Sequence, residues 1–219
     1  AGGVPAVPDV LSALRGAYIH SAPPFIGSAS TAELMRQWLE DVTDISARRT
    51  VYSGLLFRLN AVDLPAAEVY RQSLTYGTLF PDAQPYTHTG RRKKEKIRIG
   101  YISGDFYAHV MQYFIWPFLA GFDPNNFEVY VYSLGKSDQY SEFFRTLVTR
   151  WRDLTEHKND PAYIAREIYT DEIDILFDLA GHTADSGLSA LAWKPAPIQL
   201  SGLGYMATTG LPAVDYFVT

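Results

Sequence analysis

From residue 97 onward the chain alternates short β-branched apolar runs with amphipathic stretches, and this alternation limits its fold more than any other feature. Ile97–Ser103 and Ile173–Leu179 are the clearest runs. A strand that is apolar on both faces suits a parallel sheet covered by helices on both sides. Further strands are predicted at 127–133, 197–201 and 214–218, with a short one near 151–154. Helices are predicted at 110–120, 138–150, 161–170 and 186–193. Asp160-Pro161 gives the third of these an N-cap followed by proline at the first helical position. Strand and helix in this order predict an α/β lobe.

The first 80 residues have a different texture. Asp9–Ile19 places Val10, Leu11, Leu14 and Tyr18 on one helical face. Ser30-Thr-Ala-Glu33 reads as a capping box opening a helix to about Asp41. Ile45–Asn60 carries Val51, Leu55, Leu56 and Leu59 at helical spacing, and Pro65 opens a further helix toward Phe80. No clean repeat of about 34 residues runs through them, although such helix pairs suit the end of a helical array. Residues 81–96, rich in Pro, Thr and charge, read as a linker. The chain therefore divides into a helical region with its linker, 1–90, and an α/β lobe, 91–219.

Composition removes several classes of function. There is no cysteine, so disulfides, thiolate catalysis and Cys-based zinc sites are excluded. No apolar run approaches the ~18–20 residues of a membrane span, and the N-terminus does not read as a signal peptide. A cytoplasmic protein is expected. Residues 91–98 hold 6 basic side chains and 1 acidic one, while residues 99–219 hold 7 basic and 15 acidic. With no second basic cluster to continue a phosphate track, the octet reads as a solvated linker and not as a nucleic-acid surface. The apolar run at the very end of the chain suggests that the lobe continues beyond Thr219.

Two loops stand out, because ligands in open α/β sheets bind beyond the carboxyl ends of the strands. The first run leads into Gly104-Asp105-Phe106-Tyr107-Ala108-His109, the second into Ala180-Gly181-His182-Thr183. Parallel strands place these loops on one edge, so His109 and His182 are expected to open into one crevice, where imidazole can handle protons near neutral pH. A third segment, Gly202 to Gly210, frames Thr208 and Thr209 with glycines that admit a ligand close to the backbone. Each has a plainer reading. Asp105 suits a loop-fixing turn, Thr183 a cap, the histidines a satisfied loop carbonyl, and the glycine segment a tight turn. The loop after the first strand lacks the third glycine of a dinucleotide fingerprint, and no P-loop is present. His20, His88 and His157 lie in surface-like contexts.

Three separated motifs carry a resemblance. Ile97-Arg-Ile-Gly-Tyr-Ile-Ser-Gly-Asp-Phe-Tyr-Ala-His109, Asp174-Ile-Leu-Phe-Asp-Leu-Ala-Gly-His-Thr183, and Lys194-Pro-Ala-Pro-Ile-Gln199 with Gly204-Tyr-Met-Ala-Thr-Thr-Gly210 and Val214-Asp-Tyr216 resemble the O-linked N-acetylglucosamine transferase family. The resemblance spans roughly residues 50–219. It implies a Rossmann-like lobe, one half of a two-lobe GT-B glycosyltransferase, preceded by tetratricopeptide-like helices. It also implies inverting, metal-independent transfer of N-acetylglucosamine from a UDP-sugar to Ser or Thr of a protein or peptide acceptor, without a cofactor. His109 matches the family's active-site histidine. Asp105, His182, Thr183, Tyr205, Thr208 and Thr209 match positions that line the cleft and are expected to bind substrate.

The chain departs from the family pattern at Val110 and Met206, where proline is frequent, and at Tyr113, near a second histidine of some members. A C-terminal lobe, holding most of the UDP-sugar site, is the implied partner, so this segment alone is expected to be inactive. Two other readings stay open. One is a non-catalytic protein-interaction module on an α/β scaffold, which lost activity in a chain that still contains the second lobe would favour. The other is a UDP-sugar transferase with an Asn or carbohydrate acceptor, which product analysis would separate from Ser/Thr transfer.

Overall fold

The computed structural model describes residues 28–218. The helix predicted at Asp9–Ile19, and His20, lie outside them. The chain forms two compact units, the first ending at Gln72 and the second beginning at Ser73.

The first unit is helical, as its apolar spacing predicts. Helix α1 (Ser28–Asp41) and helix α2 (Ile45–Leu59) form a hairpin. Met35 lies so close to Gly54 that a Cβ there would meet its methyl carbon at 2.9 Å. Asp44 caps α2 by accepting from the Ala47 amide at 2.7 Å, and Arg48 donates to the carbonyls of Leu39 and Val42 at the end of α1. Helix α1 begins two residues before Ser30, so that serine stands inside the first turn and not at the cap. Helix α3 (Ala66–Gly77) starts after Pro65. No strand forms between residues 28 and 80.

The second unit is built on a six-stranded, wholly parallel sheet. Its strands are β1 (Ile97–Ser103), β2 (Phe127–Ser133), β3 (Arg150–Asp153), β4 (Ile175–Asp178), β5 (Ile198–Gly202) and β6 (Tyr216–Val218). Their spatial order is β3-β2-β1-β4-β5-β6, the Rossmann order, which reverses direction between β1 and β4. Helices α4 (Gln112–Ala120) and α5 (Gln139–Arg145) cover the face carrying Tyr101, Val129, Val131 and Phe177. Gly187, just before a 3₁₀ helix at Leu188–Trp193, is pressed on Ile102 of the opposite face. Helix α6 (Pro161–Thr170) starts as predicted, with Asp160 accepting from the Tyr163 amide.

Two predicted helices come out differently. The one expected over 138–150 stops at Arg145, because Arg150–Asp153 pairs with β2 and the Thr149 amide already bonds the Val129 carbonyl. The apolar residues Leu147 and Val148 pack on the core from that connection. The one expected over 186–193 is a 3₁₀ turn.

The basic octet is also not solvated throughout. Arg91 donates to the Ile173 carbonyl, Lys94 pairs with Asp174 at 2.8 Å, and Arg98 pairs with Glu128 at 2.8 Å. These cations tie the approach to β1 to its neighbours β2 and β4. Tyr86 stacks on Tyr169 at 4.1 Å, and His88 Nε2 donates to the Lys194 carbonyl, so the linker packs along the lobe.

Candidate functional site

The reversal between β1 and β4 is the place where a sheet of this order opens a crevice, and the loops after both strands carry the singled-out residues. Glycine packing holds four of these loops together. A Cβ on Gly135, after β2, would lie 1.9 Å from the Gly104 carbonyl oxygen, after β1. A Cβ on Gly104 would lie 2.7 Å from Asp185, after β4. The Thr155 hydroxyl, after β3, donates to the Gly135 carbonyl at 2.7 Å, and Lys158 pairs with Asp185 at 2.7 Å.

His109 stands in the β1–α4 loop with its side chain 38% exposed. The Met111 amide donates to its Nδ1 at 3.4 Å, and the Asp105 carboxylate lies 3.7 Å from the same nitrogen. Asp105 is mostly covered, and its own amide donates to the Ser103 hydroxyl. Burial pushes its carboxyl above the ordinary carboxylate range; His109 pulls it down and Asp185 pushes it up. Asp105 thus faces His109 instead of serving only to close its own turn.

A residue outside the motifs holds this loop. Asp138, the cap of α5, accepts from the Ala108 amide at 2.8 Å as well as from Tyr140 and Ser141. Those backbone donors, Ala108 first, hold its carboxyl below its ordinary range. The Ser141 hydroxyl adds a bond to the Phe106 carbonyl at 2.6 Å. Asp138 stands where a helix start was predicted, but nothing local in the sequence links a cap to a loop thirty residues away.

His182 does not open into the crevice. It is 2% exposed. Its Nε2 donates to the Thr209 carbonyl at 2.9 Å, and its ring meets Tyr76 at 4.6 Å and Tyr205 at 5.2 Å edge-on. Burial drives its pKa down to about 4, so the imidazole is neutral near pH 7. Tyr205 is buried too, wedged against Gly181, whose φ of +54° suits a residue without a Cβ. The Thr209 side chain is buried, its oxygen accepting from the Leu211 amide. His182, Tyr205 and Thr209 therefore form a packed floor, not a lining; hydroxyl and imidazole are satisfied by backbone, and aromatic rings exclude water.

Thr183 donates to the Ala180 carbonyl at 2.9 Å, a local turn bond and not a helix cap. Thr208 is exposed, its oxygen accepting from the Gly210 amide. The loop after β5 meets that after β1 at Gly204, where a Cβ would touch Met111, two residues past His109. Beneath the loops, Asp178 at the end of β4 is wholly buried. It accepts from the Ser201 hydroxyl at 2.8 Å and from the amides of Ala180 and Gly181, and burial still pushes its pKa up to about 6.

Val110, Tyr113 and Met206 are 61%, 71% and 63% exposed. Their departure from the family pattern costs the fold little, and their side chains are free to meet whatever lies against this edge. Among the described residues, no three His, Asp or Glu side chains are grouped to hold a metal ion, and no helix is long and apolar enough to cross a membrane.

Comparison with known proteins identifies the family of this lobe. Residues 78–219 match the family model described as glycosyl transferase family 41. A rice protein, "Probable UDP-N-acetylglucosamine--peptide N-acetylglucosaminyltransferase SPINDLY", is 41% identical over 180 residues, covering 78% of this chain and 19% of its own length. A tomato protein of the same name is 36% identical over 160 residues, covering 69% of this chain and 17% of its own. The solved structure of a Thermobaculum terrenum O-GlcNAc transferase mutant superposes with a TM-score of 0.79 at 29% identity, over 93% of this chain and 38% of that one. The chain thus spans less than a fifth of the length of these curated relatives. With the Rossmann-order lobe and the matched stretch coinciding, the chain belongs to glycosyl transferase family 41.

Proposed function

We propose that this chain is the first sheet lobe, with preceding helices, of an enzyme that transfers N-acetylglucosamine from UDP-N-acetylglucosamine to Ser or Thr hydroxyls of proteins. The observation that carries the reading is the Asp105–His109 pair on the loop after β1, at the sheet's point of reversal. The names of the relatives support the donor and the peptide acceptor. In this reading the acceptor oxygen attacks the anomeric carbon as its proton passes to Nε2 of His109, and the bond from that carbon to UDP breaks with its electrons leaving on UDP. His109 holds the acceptor hydroxyl, while Asp138 and Ser141 keep its loop in place. Thr208, exposed on the neighbouring loop, offers a further hydroxyl to substrate; Thr183 and the buried His182, Tyr205 and Thr209 support the floor.

A second lobe supplies most of the UDP-sugar contacts, so the 219 residues alone turn over negligibly. Catalysis needs no metal ion or cofactor, and the enzyme works in the cytoplasm. The deciding experiment is transfer to a peptide by the full-length enzyme. His109→Ala is expected to lower transfer by about 10²–10⁴-fold, the range for a group handling a proton at the reacting centre. His157→Ala, a ring stacked on Tyr163 in a separate polar loop, is expected to leave the rate unchanged. Full transfer by His109→Ala at an unchanged melting temperature would remove His109 from the reaction, whereas a full-length protein without transfer activity would favour the non-catalytic interaction module.

A further inference from the structure

The Nδ1 atom of His109 lies between two groups that want opposite things from it. The Met111 amide at 3.4 Å can only donate, which requires a bare Nδ1 and places the proton on Nε2. The Asp105 carboxylate at 3.7 Å can only accept when ionised, which requires Nδ1–H and leaves Nε2 bare. The amide contact is long, near the limit for an N–H donor. A charge-assisted bond is roughly twice as strong as a neutral one, so a small rotation of the ring toward Asp105 changes a weak bond for a stronger one.

The surroundings keep Asp105 available for this. Its backbone is tied to Ser103, and Gly104 is packed against Asp185 with no room for a Cβ, so the loop that carries the carboxylate is held in place. Among the charged groups nearby, Lys136 is engaged over the Tyr107 ring at 4.5 Å, and Asp138 holds the Ala108 amide. Asp185 is paired with Lys158. Tyr107 packs 5.6 Å from the imidazole and limits how far the ring can tilt.

We propose that Asp105 is the positioning residue of His109: its carboxylate accepts from Nδ1–H, which fixes the tautomer and turns the Nε2 lone pair toward a hydroxyl. A hydroxyl then finds a hydrogen-bond acceptor at Nε2, which the other tautomer would deny it. The chemical class of ligand is an alcohol, and the inference rests on the acceptor-site reading above. Asp105 itself touches no reacting atom.

The test begins without any substrate. Long-range proton–nitrogen correlation spectra of the ¹⁵N-labelled chain at pH 8 read which ring nitrogen of His109 carries the proton. The expected result is Nδ1–H in the unmodified chain and Nε2–H in Asp105→Ala, where the Met111 amide takes over Nδ1. Nε2–H in the unmodified chain overturns the proposal, and that measurement stands even if the variant does not fold. Nδ1–H persisting in Asp105→Ala overturns it equally. In the full-length enzyme, Asp105→Ala is expected to lower kcat by about 10²-fold with KM little changed, and to cost nothing further in a chain already carrying His109→Ala. A tautomer that follows Asp105 in a full-length protein with no transferase activity would retain the dyad and refute the function.

Discussion

His182 and Asp178 sit four residues apart under the same loop, and burial moves them in opposite directions. His182 falls from 6.5 to about 4, and Asp178 rises from 3.8 to about 6. For His182 the folded state resists the proton. Its contribution to stability is complete above 6.5 and is lost as pH falls toward 4. Asp178 prefers the proton when folded. Its contribution is complete below 3.8 and is lost as pH rises through 6. Linkage converts these into energies at about 1.4 kcal/mol per decade of proton affinity. Between pH 7 and pH 5, His182 costs the lobe about 2 kcal/mol and Asp178 returns about 1 kcal/mol.

The two effects oppose one another and partly cancel in the unmodified chain, so single variants reveal them. His182→Gln keeps an amide to donate to the Thr209 carbonyl and removes the titration. Asp178→Asn removes the other. Urea unfolding followed by tryptophan fluorescence at pH 5, 6 and 7 gives the slope of stability with pH for each chain. Groups common to all three chains drop out of the differences. Relative to the unmodified chain, His182→Gln is expected to gain about 2 kcal/mol on going from pH 7 to 5, and Asp178→Asn to lose about 1 kcal/mol. A uniform loss of stability at every pH leaves the slope of each variant unchanged. Parallel slopes for His182→Gln and the unmodified chain would show that water reaches the imidazole, and the packed floor would be wrong.

Other perturbations test other parts of the lobe. Gly135→Ala places a Cβ on the Gly104 carbonyl and is expected to destabilise by about 1–3 kcal/mol, with a lower melting temperature and a weaker transferase in the full-length enzyme. Asp171→Ala removes a buried carboxylate that accepts from Tyr132 at 2.9 Å and from Arg150 and Arg152; chemical denaturation is expected to show a loss of about 3–5 kcal/mol. Calorimetry is expected to find weak UDP binding, or none, to the 219-residue chain, and tight binding would locate the nucleotide site here instead of in a second lobe. Transfer by the full-length enzyme is expected to survive EDTA unchanged.

What the sequence reveals and what it hides divide along physical lines. Parallel strands are covered on both faces, so β1, β2 and β4 appear as predominantly apolar runs that need no tertiary knowledge. The loop of Asp105 and His109 is legible because a glycine and a polar turn must follow a strand that ends at a sheet edge. The fate of His182 is not legible. Its local setting, a glycine before and a threonine after, matches that of a surface loop. What buries it is Tyr76, more than a hundred residues earlier, and the Thr209 carbonyl on the loop after β5. Asp178 is hidden for the same reason. Its partner Ser201 is set by the register of β4 on β5, and periodicity along either strand says nothing of register. The overrun of α5 shows local pattern losing to pairing: Phe143, Phe144, Leu147 and Val148 keep a helical spacing, but the backbone after Arg145 turns to give β3 its bonds with β2.

These two kinds of residue also explain how one edge can be both rigid and reactive. Groups that are fully paired and buried, such as His182, Asp178 and Thr209, gain nothing from a ligand and spend their hydrogen bonds on the loops themselves. His109 is different. It is part-exposed, the backbone bond to its Nδ1 is long, and a carboxylate competes for the same nitrogen. Asp105 settles that competition before a hydroxyl arrives and leaves Nε2 open to it; a side chain already satisfied by the backbone has nothing left to offer one. The rigid floor matters because that choice turns on tenths of an ångström between Nδ1, the Met111 amide and Asp105. Met111 packs against Gly204, and Gly204 bonds to the Leu179 carbonyl above the Asp178 cluster. The buried residues that the sequence pattern suggested as ligands thus set the distance over which His109 chooses.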